Sequence, residues 1–248
     1  MRSDGRSNDA LRDIRFETHY IAHHPGSVLV HYGKTRVLVT ATVENRVPPH
    51  RQESGGGWLT AEYGMLPGST IDRKARPGNK GPDGRAMEIQ RLIGRSLRQA
   101  IRLNAIGPRT IAIDCDVIEA DGGTRTAAIT GAWVALWLCV QHLINKGDIK
   151  DRRIEEIVHT QVAAVSLGIL GDEIYTDLCY SEDVEANTDS NLVACTDGGI
   201  VEFQGTAERE PMKRAQLDQI LDQGLRAIAT LCQLQREVIA RSPSTAAG

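Results

Sequence analysis

The chain has 248 residues, of which 41% are hydrophobic and 25% charged, with a formal net charge of −3, an ordinary globular composition with ample length for a core. Five cysteines without a CxxC pair disfavour a disulfide framework or a zinc site and fit a reducing compartment. The charged N-terminus has no signal-like apolar core, and the longest apolar run, Thr126 to Val140, is shorter than the ~20 residues of a membrane span, so a soluble cytoplasmic protein is expected.

Ser27 to Tyr32 and Arg36 to Val43, rich in β-branched residues and joined at Gly33-Lys34, predict a β-hairpin. Residues 46–57 are polar and end in three glycines, a loop; residues 67–84 mix Pro, Gly and basic side chains, a mobile basic loop. Ala86 to Leu103 predicts an amphipathic helix with Ile89, Leu92, Ile93 and Leu97 on one stripe. Arg91, Arg95, Arg98 and Arg102 form a second stripe. Thr110 to Ile118 alternates as a strand. Arg125 to Ile144 is a helix apolar nearly all round, to be buried or packed at a subunit interface.

Two further hairpins are predicted, Val162–Ile169 with Glu173–Tyr180 and Asn191–Thr196 with Ile200–Gln204. Met212 to Ala240 is a closing helix, and residues 242–248 are a disordered polar tail. The order of elements is α+β, mixed sheets packed with long helices, and no linker divides residues 1–241, read as a single domain.

The segment Asp121-Gly122-Gly123-Thr124-Arg125-Thr126 has the parts of a phosphate site. Two glycines allow positive φ and close approach, and a helix starting there turns free N–H groups towards an anion. Thr124 adds a hydroxyl and Arg125 a planar charged fork. The bland alternative is a capped strand-to-helix turn. Seven acids lie between Asp172 and Asp189, with Asp177, Asp183 and Asp189 six residues apart. On an extended strand that even spacing keeps them on one face, whereas a tight turn converges them. Such hard oxygens suit Mg²⁺ or Mn²⁺, and a carboxylate kept protonated by its neighbours can act as a general acid. A solvated acidic loop is the alternative.

Residues 1–103 hold 17 basic and 10 acidic residues, the remainder 12 and 22. A basic half beside an acidic one suits a polyanion handled by carboxylates, although charge blocks are also ordinary solvated faces. The Arg stripe, with Arg73, Lys74, Arg76 and Lys80 before it, can follow a nucleic-acid backbone or simply face solvent. No histidine spacing, nucleophile triad or Walker motif stands out.

Together with these motifs, Gly57-Trp58-Leu59-Thr60-Ala61-Glu62-Tyr63-Gly64-Met65-Leu66-Pro67, Gly84-Arg85-Ala86-Met87-Glu88-Ile89-Gln90-Arg91, Asp177-Leu178-Cys179-Tyr180-Ser181-Glu182-Asp183 and Val201-Glu202-Phe203-Gln204-Gly205-Thr206-Ala207-Glu208 occur in colinear order. The chain thereby resembles the ribonuclease PH family, phosphate-dependent 3′-exoribonucleases that trim tRNA precursors, from about residue 2 to 240. The resemblance implies a ribosomal protein S5 domain 2-like fold and a hexameric ring built as a trimer of dimers. It implies that Arg85, Gly123, Thr124 and Arg125 bind the attacking inorganic phosphate. Asp183 would be the general acid, with Asp177 as a second catalytic carboxylate. Asp183 and Asp189 would hold Mg²⁺ or Mn²⁺, and Arg73, Arg76, Arg91, Arg95 and Arg98 would guide the RNA 3′ end. Ala86 stands where the family pattern has Thr, Arg209 where Gly is common, and the loop 68–83 departs most.

Overall fold

Alternation of small apolar and polar side chains folds the N-terminal half into one sheet. A computed structural model describes residues 2, 4–53, 55–76 and 83–242. Strands β1 (Ile14–Thr18), β2 (Gly26–Tyr32), β3 (Thr35–Glu44), β4 (Trp58–Met65) and β5 (Thr110–Glu119) form a five-stranded sheet ordered β1-β2-β3-β5-β4. The expected hairpin is β2–β3, with Val28 opposite Val39 and Val30 opposite Val37, turning where Gly33 has a φ of 58°. Two strands are additional to the sequence reading: the edge strand β1, and β4, which pairs parallel to β5. A four-residue helix, α1 (Pro49–Gln52), interrupts the loop before β4.

The crossover from β4 to β5 is helix α2 (Gly84–Arg98), whose N-cap Asp83 accepts a bond from the Arg85 N–H at 3.0 Å. It ends at Arg98 rather than Leu103, so Arg102 lies beyond it and donates to the Glu156 carbonyl. Ile89, Leu92, Ile93 and Leu97 are buried against β4. Helix α3 (Thr124–Asn145) runs under β2 and β3 and also meets the second sheet. It approaches so closely that a Cβ on Gly131 would lie 2.7 Å from Val30 Cγ1. By length and composition α3 is apolar enough to cross a membrane, and it is longer than the Thr126–Val140 run suggests; 78% of its apolar window is buried inside this chain.

The second sheet is antiparallel, ordered β7-β6-β8-β9, from β6 (Val162–Leu170), β7 (Glu173–Thr176), β8 (Thr188–Cys195) and β9 (Ile200–Ala207). The strand expected over Glu173–Tyr180 stops at Thr176, and the chain passes from β7 to β8 through a short helix, α4 (Tyr180–Glu185). The closing helix α5 (Arg214–Arg241) packs on β6 and β8, and one contiguous apolar core runs from Val28 to Cys232 through both sheets. Of the tail expected to be disordered, residues 242–248, Ser242 instead caps α5, its hydroxyl donating to the Val238 carbonyl at 2.9 Å, and residues 243–248 lie outside the described residues.

Candidate active site

The turn into α3 is built by contacts from several parts of the chain. Gly122 and Gly123 have φ of 75° and 64°, both in the region that L side chains resist. A Cβ on Gly122 would lie 2.6 Å from the Leu178 carbonyl, so the segment leading to α4 rests directly on the turn. The carbonyls of the turn are held from behind. Arg12 Nη1 donates to the Asp121 carbonyl at 2.6 Å, and Thr35 Oγ1 donates to the Gly122 carbonyl at 2.7 Å while accepting from the Asp121 N–H. Gly123 is the helix N-cap and has no side chain to bond the first-turn N–H groups, which have no partner further back in the helix. The result is a fixed, positively polarised helix start.

Thr124 is nearly buried, and its hydroxyl shares a 2.8 Å hydrogen bond with the Tyr63 hydroxyl of β4. The Arg125 side chain is 18% exposed; its Nη1 donates to Gln204 Oε1 at 2.8 Å and lies 3.5 Å from Glu88 Oε2. Arg85, exposed in the first turn of α2, is close enough to act electrostatically on Tyr63, Asp183 and Asp189. The structure therefore brings Arg85, Gly123, Thr124 and Arg125 to one place.

Opposite them stand Asp183 on α4 and Asp189 on β8, facing the same two arginines. Burial pushes the Asp183 carboxyl above its ordinary range and Glu208 adds to the effect, while Arg85 and Arg125 oppose it. Asp189 is pushed up to about 6, first by burial and then by the charge of Asp183, against the pull of Arg125 and Arg85. Two carboxyls both raised by burial, one of them further raised by the other's charge, beside two arginines form an electrostatically frustrated pair, a common feature of functional sites.

Asp177 does not join them. It follows β7 with a φ of 56° and is completely buried. Its carboxylate accepts from Arg12 Nη2 at 2.7 Å, Arg12 Nε at 3.0 Å and the Arg12 N–H at 2.8 Å. The expectation of a catalytic Asp177 is corrected: its oxygens are fully occupied by an arginine that pins the Gly-Gly turn. The six-residue spacing misled because the three acids sit in a left-handed residue, a helix and a strand, with no common face.

Arg91, Arg95 and Arg98 line a cleft of about 190 Å³ with Thr60, Gln90 and Gly94. Arg98 stacks its guanidinium 5.0 Å from the Trp58 ring centre and donates to the Leu59 carbonyl. Arg95 pairs with Glu202 of β9 at 2.7 Å. Arg73 and Arg76 are exposed on the stretch after β4, and Lys80 lies outside the described residues. Among the described residues no group of three or more His, Cys, Asp or Glu side chains could hold a metal ion. The Asp183–Asp189 pair nevertheless suits Mg²⁺ or Mn²⁺, which commonly takes one or two carboxylates and completes its shell with water and substrate phosphate. Asp189, raised first by burial and then by the charge of Asp183, carries a penalty that a divalent cation would relieve.

The sequence reading missed Tyr63, Glu88, Gln204 and Glu208 as parts of the site, and Arg12 as its support. Glu208 had one usable signal. It follows β9, and pairing of Asp189 with Thr206 brings the end of that strand alongside.

Residues 10–140 match the 3′ exoribonuclease (RNase PH) family model for domain 1, and residues 160–227 match that for domain 2. The chain belongs to this RNase PH family of 3′ exoribonucleases. Among solved structures it is similar to rice (Oryza sativa) Rrp46, at 17% identity and a TM-score of 0.75, covering 96% of this chain and 100% of that one. It is also similar to a chain of the Archaeoglobus fulgidus exosome with RNA bound to the active site, at 19% identity and a TM-score of 0.77, covering 94% and 91%. An archaeal exosome core chain gives 18% identity and a TM-score of 0.74, covering 95% and 91%. The α+β fold with two mixed layers of sheet and helix is the one these proteins share.

Proposed function

We propose that this protein is a phosphorolytic 3′-to-5′ exoribonuclease of the ribonuclease PH type, acting on tRNA precursors and releasing nucleoside diphosphates. The observation that carries the reading is the confrontation, within one site, of an anion-binding helix start bearing Arg125 and an acid pair whose protons are held above their ordinary range. A hydrolase needs the acids but has no use for a second anion site.

Inorganic phosphate would sit at the α3 N-terminus, held by backbone N–H groups, the Thr124 hydroxyl and the Arg125 and Arg85 guanidinia. The same arginines would offset repulsion between the attacking phosphate and the scissile phosphodiester. Asp183 would give a proton to the departing 3′ oxygen, because burial lets it keep that proton to higher pH than a free carboxyl. Asp189, joined by Asp183 once it has given up its proton, would hold Mg²⁺ or Mn²⁺, which supplies positive charge to the phosphoryl oxygens. Arg91, Arg95 and Arg98, with Arg73 and Arg76, would bind the RNA backbone upstream. A phosphodiester is exchanged for a phosphoanhydride, so a high diphosphate concentration should run the reaction backwards. We further propose a homohexameric ring and a cytoplasmic location.

The test is incubation with Mg²⁺ and a tRNA carrying extra 3′ residues, with and without inorganic phosphate. Nucleoside diphosphate released only with phosphate is the expected result. Monophosphate released without phosphate would make the protein a hydrolase. Bound RNA with no release would make it an RNA-binding ring subunit.

A further inference from the structure

Gln204 of β9, which the reaction chemistry above does not use, lies at the centre of a group of charges. Its Oε1 accepts from Arg125 Nη1 at 2.8 Å, while its Nε2 donates to Glu88 Oε1 at 3.0 Å and to Glu202 Oε1 at 2.9 Å. The orientation of this amide is forced by chemistry. A guanidinium only donates and a carboxylate only accepts, so a flipped amide would lose all three bonds. Both N–H groups and the carbonyl are thus engaged. Glu202 is further occupied by Arg95, with Nε at 2.8 Å and Nη2 at 2.7 Å. Among the described residues Glu88 has no such second cation, and it is the carboxylate lying 3.5 Å from Arg125.

We infer that Gln204 is a positioning residue that keeps Arg125 available to an anion, by bonding its guanidinium with a neutral oxygen and restraining Glu88 through the amide N–H. The inference rests on Arg125 being the phosphate-binding arginine. A guanidinium paired with a carboxylate is largely neutralised and forms a bidentate clasp that phosphate must break. The same guanidinium held by an amide carbonyl keeps its charge and a fixed direction. Gln204 therefore converts a site where Glu88 and Arg125 would close on each other into one open to a second anion. The same amide joins Arg125, through Glu202 and Arg95, to the Arg91–Arg98 cleft, so both anion-binding places share one hydrogen-bonded chain.

The experiment is titration of the full-length protein with inorganic phosphate by calorimetry, with melting temperature followed in parallel. Gln204→Leu removes the restraint on Glu88, and phosphate should bind roughly tenfold more weakly, the scale of one hydrogen bond to a charged group. Gln204→Glu, nearly isosteric, adds a third carboxylate and should weaken binding at least as much, which guards against a leucine variant that fails to fold. The double variant Gln204→Leu with Glu88→Gln removes the competing carboxylate and should regain most of the lost affinity. A purely structural role would not produce that rescue. In turnover, the single variants should raise KM for phosphate more than they lower kcat. Unchanged phosphate affinity in both Gln204 variants, or no rescue by Glu88→Gln, overturns the inference while Arg125 remains the phosphate arginine. Wild-type phosphate affinity in Arg125→Ala overturns both.

Discussion

Two carboxylates of this protein, Asp177 and Asp189, lie twelve residues apart and have opposite surroundings. Asp177 is wholly buried and receives three hydrogen bonds from Arg12, with Arg6 Nη1 a further 3.9 Å away. Asp189 is partly buried beside another acid, with no ion pair among the described residues, and its carboxyl is pushed up to about 6. One charge is compensated by the protein; under the proposed function the other awaits a bound cation. The contrast separates structure from chemistry better than burial does, because the more buried acid is the one that holds the fold together. It also shows how the two halves of the site are joined. Arg12 bonds Asp177 on the acid side and the Asp121 carbonyl on the phosphate side.

The sharpest way to break the comparison is to remove each acid. Asp183→Asn should leave a folded protein whose phosphorolysis falls about 10²–10⁴-fold, the range for a lost proton donor. Near-normal turnover would take Asp183 out of the chemistry. Asp177→Ala should behave in the opposite sense, lowering unfolding free energy by about 3–5 kcal/mol because Arg12 is left buried and unpaired. A loss under about 1 kcal/mol in a denaturant titration would deny the clasp its structural role.

Asp189→Asn carries a sign that distinguishes it from both. A carboxyl whose folded pKa is raised binds its proton more tightly in the native state, so folding loses stability as pH rises from the ordinary value of 3.8 to about 6. At neutral pH the charged Asp189 costs up to about 3 kcal/mol, and the asparagine variant should be more stable by some part of that while losing activity. Added Mg²⁺ should narrow the gap by stabilising the wild type. In turnover with Mg²⁺ limiting, activity should decline as pH falls through about 6, when Asp189 takes up its proton and ceases to be a good cation ligand. A rate flat down to pH 5 would show that its ionisation is not needed. The smallest effect belongs to the cleft. Arg91→Ala should weaken RNA binding equally across sequences and reduce the salt dependence of binding by about 0.7 in the log–log slope.

Much of the architecture was readable before any coordinates. Helices α2, α3 and α5 declared themselves because ten or more residues of apolar spacing leave little ambiguity. Strand β4 did not, since Glu62 and Gly64 interrupt its pattern and its partner β5 lies about fifty residues on in sequence. Helix α4 was not foreseen, because six residues are too few to show a helical period. In the site, Gly122 to Arg125 was legible because positive φ and a helix start are local properties. Asp177 was misread because spacing along the chain carries direction in space only while the backbone conformation stays constant, and it changes twice between Asp177 and Asp189.

By itself the sequence determined what is short-ranged: which segments bury an apolar face, where the backbone needs glycine, and which residue types are present to meet anions and cations. It also carried the family, because an ordered set of motifs along one chain is a property of the chain. Tertiary structure alone decided which charges meet. That Arg12 neutralises Asp177, that Glu208 raises Asp183, and that the Gln204 amide bonds both Arg125 and Glu88 all depend on side chains from distant elements coming within a few ångströms. Coulomb and hydrogen-bond energies fall steeply with distance and alignment, so composition announces the charges and only their final positions say which ones remain free to act.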